Sequence, residues 1–250
     1  MDDQQLLQFS RHIMLPDFDV AGQEKLLQAK VLLIGAGGLG SPIALYLGAA
    51  GVGRLTIVDD DEVDTSNLQR QIAHRRATVG TNKAESAAVA VQAINPSTRV
   101  RALQHRLSEA VLQAEVAQAD LVIDATDNAP SRYLLNRLCW QQRPPLVSGA
   151  AVRWEGQVSV FDPLQIDTPC YECLYPESSR GSLNETCSET GVVSPLLGII
   201  GSCQAMEGIK YLCGIGAALV GYVSYFDAKK MEWQKLKIAK RASCPTCQGN

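Results

Sequence analysis

The sequence predicts an α/β protein: a mostly parallel β-sheet covered by helices on both faces and extended by antiparallel strands towards the C-terminus. Three observations carry this. Short, continuously apolar runs alternate with helical segments between residues 31 and 148, as parallel strands buried on both faces require. From residue 152 the pattern changes to a period of two, the mark of antiparallel strands. Two Cys-x-x-Cys pairs, Cys170/Cys173 and Cys244/Cys247, then bracket most of the second half.

The elements follow in order. A polar helical lead-in covers residues 2–28. The apolar run 31–34 is the first strand. Residues 42–50 form a helix that tolerates Pro42, because the first turn has no hydrogen bond to lose. Residues 55–58 are a second strand, and the helix over 82–94 is stopped by Asn95-Pro96. A strand at 99–103, a helix at 108–118, a strand at 121–123, a helix at 128–142 and a strand at 146–148 complete the parallel part. Segments 152–161, 220–226 and 231–238 are predicted as antiparallel strands, with a helix over 192–212 packed on them. Residues 163–169 and 177–189 are predicted as loops.

Composition bounds the function. The chain has 250 residues, 46% hydrophobic and 20% charged, enough for a substantial core. A net charge of −3 offers no basic field to nucleic acid or to an anionic membrane. The apolar segment 191–212 is interrupted by Ser194, Pro195, Gln204, Glu207 and Lys210, so it is expected as a buried helix and not a membrane span. The opening MDDQQLLQFS lacks the charged-then-apolar layout of a signal peptide. The expected location is cytoplasmic, where eight cysteines point to metal or chemistry and not to disulfides.

Gly35-Ala36-Gly37-Gly38-Leu39-Gly40 fits G-x-G-x-x-G between a strand and a helix, a Rossmann-like arrangement that brings backbone N–H groups to a phosphate. Asp59 ends the second strand, where a carboxylate can accept hydrogen bonds from ribose hydroxyls. A dinucleotide site needs one acid there, yet Asp60, Asp61 and Glu62 follow, and further carboxylates suit Mg2+ or form an acidic surface turn. The polar run Ser66-Asn67-Leu68-Gln69-Arg70 lies in the next loop, Lys83 opens the next helix, and Asp127-Asn128 follows the fourth strand. All these points lie on the carboxyl edge of an open parallel sheet, where ligands bind. Arg70, Lys83 and Asp127 together suggest a polyphosphate with metal. The three histidines, His12, His74 and His105, are scattered and suggest no hydride site. The four paired cysteines make the tetrahedral thiolate set of a structural zinc site, whereas a redox Cys-x-x-Cys fits a duplicated pair poorly. Cys139, Cys203 and Cys213 read as core. Cys187 sits in a polar loop beside Glu185 and Glu189.

These motifs together resemble the ubiquitin-activating-enzyme-like superfamily, in its small bacterial branch of MoeB/ThiF/HesA proteins. The likeness covers nearly the whole chain: SRHIMLP, GAGGLGSP, DDDEVDTSNLQRQ, Lys83, DATDN, SGAAVRWEGQVSVF, CYECLYP, TCSETGVVSP and both cysteine pairs stand in the family's order. The resemblance implies a single adenylation domain over residues 1–250: lead-in 1–28, nucleotide-binding half 29–150 and antiparallel extension 151–250. It implies ATP, Mg2+ and a structural Zn2+ as cofactors. It implies adenylation of the C-terminal Gly-Gly carboxylate of a ubiquitin-like sulfur carrier, and SGAAVRWEGQ leans to the molybdopterin-synthase branch over the thiamine branch. Gly38, Asp59, Asp61, Ser66, Asn67, Leu68, Gln69, Arg70, Lys83, Asp127 and Asn128 would bind the nucleotide. Arg11 would reach the neighbouring subunit's ATP, so a homodimer is expected, in a 2:2 complex with the carrier. Cys187 matches a cysteine that attacks the adenylate or receives sulfur in relatives. No sulfurtransferase segment follows the second cysteine pair, so a separate sulfur donor is expected. Two other readings stay open: an NAD(P)-dependent oxidoreductase, which explains the glycine loop but not the cations, and a zinc-stabilised scaffold that binds nucleotide without catalysis.

Overall fold

The structure, a computed structural model, describes residues 1–177 and 191–248. The lead-in is helical, as predicted, and divides into three helices: α1 (Asp3–Gln8), α2 (Ser10–Ile13) and α3 (Asp19–Gln28). Strands β1 (Lys30–Ile34), β2 (Arg54–Val58), β3 (Arg99–Leu103), β4 (Leu121–Asp124), β5 (Leu146–Val152), β6 (Glu155–Phe161), β7 (Tyr222–Asp227) and β8 (Glu232–Lys237) form one eight-stranded sheet. Its order is β3-β2-β1-β4-β5-β6-β7-β8. The first five strands run parallel, and β6, β7 and β8 are added antiparallel, as predicted.

Helices α4 (Gly40–Ala50), α5 (Lys83–Ile94), α6 (Glu109–Gln118) and α7 (Ala129–Gln142) connect the parallel strands. A single-turn helix α8 (Tyr171–Leu174) and a long helix α9 (Ser194–Cys213) belong to the antiparallel part. Successive side chains of β1 point to opposite faces. Leu33 therefore packs with Ile43 of α4, Val91 of α5 and Ile200 of α9, while Leu32 packs with Val116 of α6 and Leu138 of α7. This two-sided burial is why the parallel strands read as unbroken apolar runs.

The largest boundary difference from the sequence expectation is at the end of β5. The strand predicted at 146–148 continues to Val152, and the period-two segment 152–161 starts with the hairpin corner Arg153-Trp154. Gly149-Ala150-Ala151 carries little apolar signal, so its strand character comes from the ladder with β6, in which Gly149 faces Val158. Arg153 turns the corner at φ 53°. No described helix is long and apolar enough to cross a membrane.

Candidate functional site

The chain leaves β1 in one direction, to β2 and β3, and β4 in the other, to β5. The crevice at this reversal, at the carboxyl ends of the strands, is where an open α/β sheet takes ligands. A cleft of about 800 Å3 lies there, within the ~300–1,000 Å3 range of small-molecule sites. Gly35, at φ +96°, and Gly40 make its turn possible. A Cβ on Gly40 would stand 2.0 Å from the Gly35 carbonyl oxygen, and one on Gly35 2.7 Å from that of Ala125. Only glycine allows the backbone to close on itself before α4 begins. Gly37 and Gly38 line the cleft.

The acids are held by backbone. Asp59 Oδ2 accepts the Ala36 N–H at 2.7 Å and Oδ1 the Asp61 N–H at 2.9 Å. Burial pushes its carboxyl above the usual value, against the pull of those two N–H groups and of Lys83. Asn82 caps α5 by accepting from Ala84 and Glu85, and its side-chain NH2 donates to the carbonyls of Asp59 and Asp61. This ties the helix to the acidic turn. Lys83, the first residue of α5, is thereby brought to Asp61, with Nζ 2.7 Å from Oδ2. Asp59, Asp60 and Asp61 place carboxylate oxygens within 4.8 Å of one another.

Of the remaining predicted residues, Arg70, Asp127 and Asn128 also line the cleft. Ser66, Asn67, Leu68 and Gln69 are not among its lining residues; they build the turn that presents Arg70. Asp64 and Asn67 cap each other across this turn, and Arg70 donates to the Ser66 carbonyl at 3.1 Å. Gln69 is bonded to Ser194 at the start of α9. Asn128 caps α7 by accepting the Ser131 N–H at 3.0 Å. Arg11 lies on α2, away from the lining of this cleft, where its guanidinium rests on Met14. Cys187 lies outside the described residues.

Sequence reasoning missed several contributors. His74, one of the three scattered histidines that suggest no hydride site, is buried under the glycine turn. Its Nε2 is 2.8 Å from the Ala36 carbonyl and its Nδ1 3.0 Å from the Ser86 hydroxyl. A carbonyl only accepts, so Nε2 carries a proton and donates it to Ala36. Burial lowers the imidazole below its usual 6.5, so it stays neutral. The far half of the cleft is lined by Arg132 and by Tyr171, Tyr175, Gln157 and Tyr225. The Tyr175 hydroxyl donates to Gln157 at 2.5 Å, and Tyr133 donates to the Tyr175 carbonyl at 3.0 Å. Burial raises the Tyr171 phenol to about 12, with the Arg132 cation opposing. These residues come together from α7, β6, β7 and the first cysteine pair, a convergence with no local sequence signal.

The four paired cysteines also converge. They are buried, with Cys170 and Cys244 sulfurs 3.5 Å apart and Cys173 and Cys247 sulfurs 3.4 Å apart. All four lie within 4.8 Å of one another. These separations are too long for disulfides and close to the ~3.8 Å edge of a tetrahedron with ~2.3 Å Zn–S bonds. Asn136 of α7 and the Arg241 N–H donate to the sulfurs of Cys170 and Cys173, at 3.6 and 3.4 Å. Those bonds suit thiolates. The donor set therefore fits Zn2+.

The ThiF family model matches residues 9–246. The molybdopterin-synthase adenylyltransferase of Escherichia coli is 45% identical over 247 residues, covering 99% of this chain and 98% of that protein. The sulfur carrier protein ThiS adenylyltransferase of the same organism is 40% identical, covering 100% and 98%. The chain spans about half, 51%, of another curated relative, a maize protein 45% identical to it. Among solved structures, Escherichia coli MccB with ATP superposes with a TM-score of 0.80 at 21% identity, over 91% of this chain and 68% of that one; this likeness concerns the fold. The chain belongs to the ThiF family.

Proposed function

We propose that this chain adenylates the C-terminal Gly-Gly carboxylate of a small ubiquitin-like sulfur carrier, with ATP as the second substrate. One observation carries the reading. Two cations, Arg70 and Lys83, and the carboxylate Asp127 share a single cleft with the glycine turn. The names of the two Escherichia coli relatives support it. The molybdopterin-type carrier is the first candidate because of the SGAAVRWEGQ stretch; the relative that acts on ThiS keeps the thiamine-type carrier as the second. An oxidoreductase explains neither cation.

In this reaction the carrier's carboxylate attacks the α-phosphorus, and pyrophosphate leaves. Two anions must meet, so charge neutralisation and alignment supply most of the acceleration. The N–H groups around Gly38 bind phosphate. Asp59, already fixed by Ala36 and Asp61, holds the ribose with its remaining lone pairs. Arg70 and Lys83 stabilise the charge that develops on the phosphates. Asp127 and Asp61 would hold Mg2+, which supplies further neutralisation of the phosphate oxygens. Tyr171, Tyr175, Gln157 and Tyr225 form the wall along which an extended carrier tail reaches the phosphate.

Zn2+ held by Cys170, Cys173, Cys244 and Cys247 would be structural, since four thiolates leave no open position. A homodimer is part of the proposal. The lead-in leaves Leu7 78%, Met14 69% and Leu15 49% exposed, with Met14 against Arg11, apolar surface suited to a second copy that would receive Arg11 in trans. Sulfur would come from a separate donor.

The test is exchange of labelled pyrophosphate into ATP, run with a molybdopterin-type and a thiamine-type carrier. Carrier-dependent exchange with either supports the reading. Its absence with both, in a protein that binds ATP, would leave a nucleotide-binding scaffold; NAD(P)-dependent turnover without exchange would leave the oxidoreductase.

A further inference from the structure

Beneath Asp127 lies a buried polar network built on Asp124 and Thr126 of the DATDN stretch. Asp124, the last residue of β4, is 0% exposed. Its Oδ1 accepts both the Thr126 N–H, at 2.9 Å, and the Thr126 hydroxyl, at 2.7 Å. Its Oδ2 accepts the Ser148 hydroxyl from β5 at 2.9 Å and stands 3.9 Å from Arg132 Nε. Arg132, one turn into α7, donates from Nη2 to the Thr126 carbonyl at 2.7 Å. Gln204 of α9 donates to the Asp124 carbonyl at 2.7 Å. Thr126 is thus gripped at its N–H, its hydroxyl and its carbonyl.

The Thr126 carbonyl and the Asp127 N–H belong to one planar peptide unit. The Arg132 contact therefore sets the plane from which Asp127 departs. Such a clamp has a reason at this place. The chain leaves the sheet at the reversal point once the Ala125 N–H has bonded the Ile34 carbonyl at 2.9 Å, and the ladder does not extend to Thr126. A buried carboxylate–guanidinium pair is a poor way to gain stability, because the desolvation of both ions offsets their attraction. What it does supply is a single orientation for the loop.

We propose that Asp124 and Arg132 are positioning residues for adenylation: clamped through Thr126, Asp127 points its carboxylate into the cleft before nucleotide and cation arrive. The inference rests on the assignment of Asp127 to the nucleotide's cation given above. Asp124 is wholly buried and acts through Thr126; Arg132 also lines the cleft, so the comparison of Val and Ser at position 126 isolates the clamp.

The experiment compares wild type with Thr126→Val, Thr126→Ser, Arg132→Lys and Asp127→Ala in the full chain. Pyrophosphate exchange is followed with the active carrier, reading kcat, the KM for ATP and the Mg2+ concentration at half-maximal rate, beside the thermal midpoint. Thr126→Val keeps shape but loses the hydroxyl; Arg132→Lys keeps charge but loses the fork. Both are expected to lower kcat at least tenfold and raise the Mg2+ requirement at least threefold, with a smaller change in the KM for ATP and a folded protein. Thr126→Ser, which restores the hydroxyl, should recover most of the kcat lost in Thr126→Val. If both variants keep the wild-type kcat and Mg2+ requirement, or if Ser and Val at 126 are equally impaired, the clamp is refuted. Failure of the underlying reading looks different: wild type lacks carrier-dependent exchange, or Asp127→Ala retains it. Asp124→Asn is a useful addition but not the deciding variant, since a buried site of this kind can fail to fold for other reasons.

Discussion

Replacing Lys83 by Met separates catalysis from folding. Lys83 is 10% exposed at its side chain and pairs with Asp61, which is 69% exposed. Loss of the pair leaves Asp61 in water, so the stability cost is that of a surface ion pair, about 0–1 kcal/mol. Met keeps the buried methylene stem and its packing. For a chain of this size that is a fall in midpoint of roughly 2–4 °C at most. The electrostatic loss at the phosphates is larger. One cation about 4 Å from a phosphate charge is worth roughly 4 kcal/mol at an effective dielectric of ~20, and single oxyanion contacts removed by mutation cost about 2.7–4 kcal/mol. The expected outcome is a ~100- to 1,000-fold loss of pyrophosphate exchange at saturating ATP, in a protein that melts almost as wild type does. Thermal melts and exchange assays on the same preparation decide it. Exchange within tenfold of wild type would refute the placement of Lys83 at the reacting phosphates, and a midpoint lowered by much more than ~4 °C would refute its structural dispensability.

Three further outcomes are expected. Metal analysis should find about one zinc per chain, and Cys244→Ser should lose it together with stability; a zinc-free, folded and active protein would overturn the assignment. His74 has a lowered pKa because of burial, so the unfolded chain takes up its proton first as pH falls. Its contribution to stability is present above its usual 6.5 and is lost as pH falls through the lower folded value. Wild type should therefore lose stability on acidification from pH ~7.5 to ~5.5 more steeply than His74→Gln, by at most ~1.4 kcal/mol per pH unit; parallel curves in chemical denaturation would contradict this. Cys187→Ser should leave pyrophosphate exchange intact, because carboxylate, ATP and Mg2+ complete that half-reaction. Any defect should surface only in thiocarboxylate formation with a sulfur donor, and loss of exchange would move Cys187 into the adenylation site.

The sequence by itself determined what depends on neighbours along the chain. Unbroken apolar runs between helices predicted the parallel sheet, and period-two segments predicted β6 to β8. Gly40 announced the turn, because the clash it avoids, with the Gly35 carbonyl, arises within six residues; the clash at Gly35 is with Ala125, far along the chain. The cysteine pairs announced their cluster through spacing alone. The tertiary structure decided everything set by contacts across the chain. Gly149-Ala150-Ala151 is strand because β6 lies beside it, since small residues acquire β structure from a ladder and not from their own preference. Asp59 reads as a ribose ligand, but only the fold shows that it is already spanned by the N–H groups of Ala36 and Asp61. His74 and Ala36 are 38 positions apart, and Gln204 and Asp124 are 80 apart. Neither pair leaves a pattern in sequence, because a buried hydrogen bond needs only that two groups meet at the right angle. Packing α9 against β4 creates the second of these meetings, and folding the loop before α5 under the glycine turn creates the first.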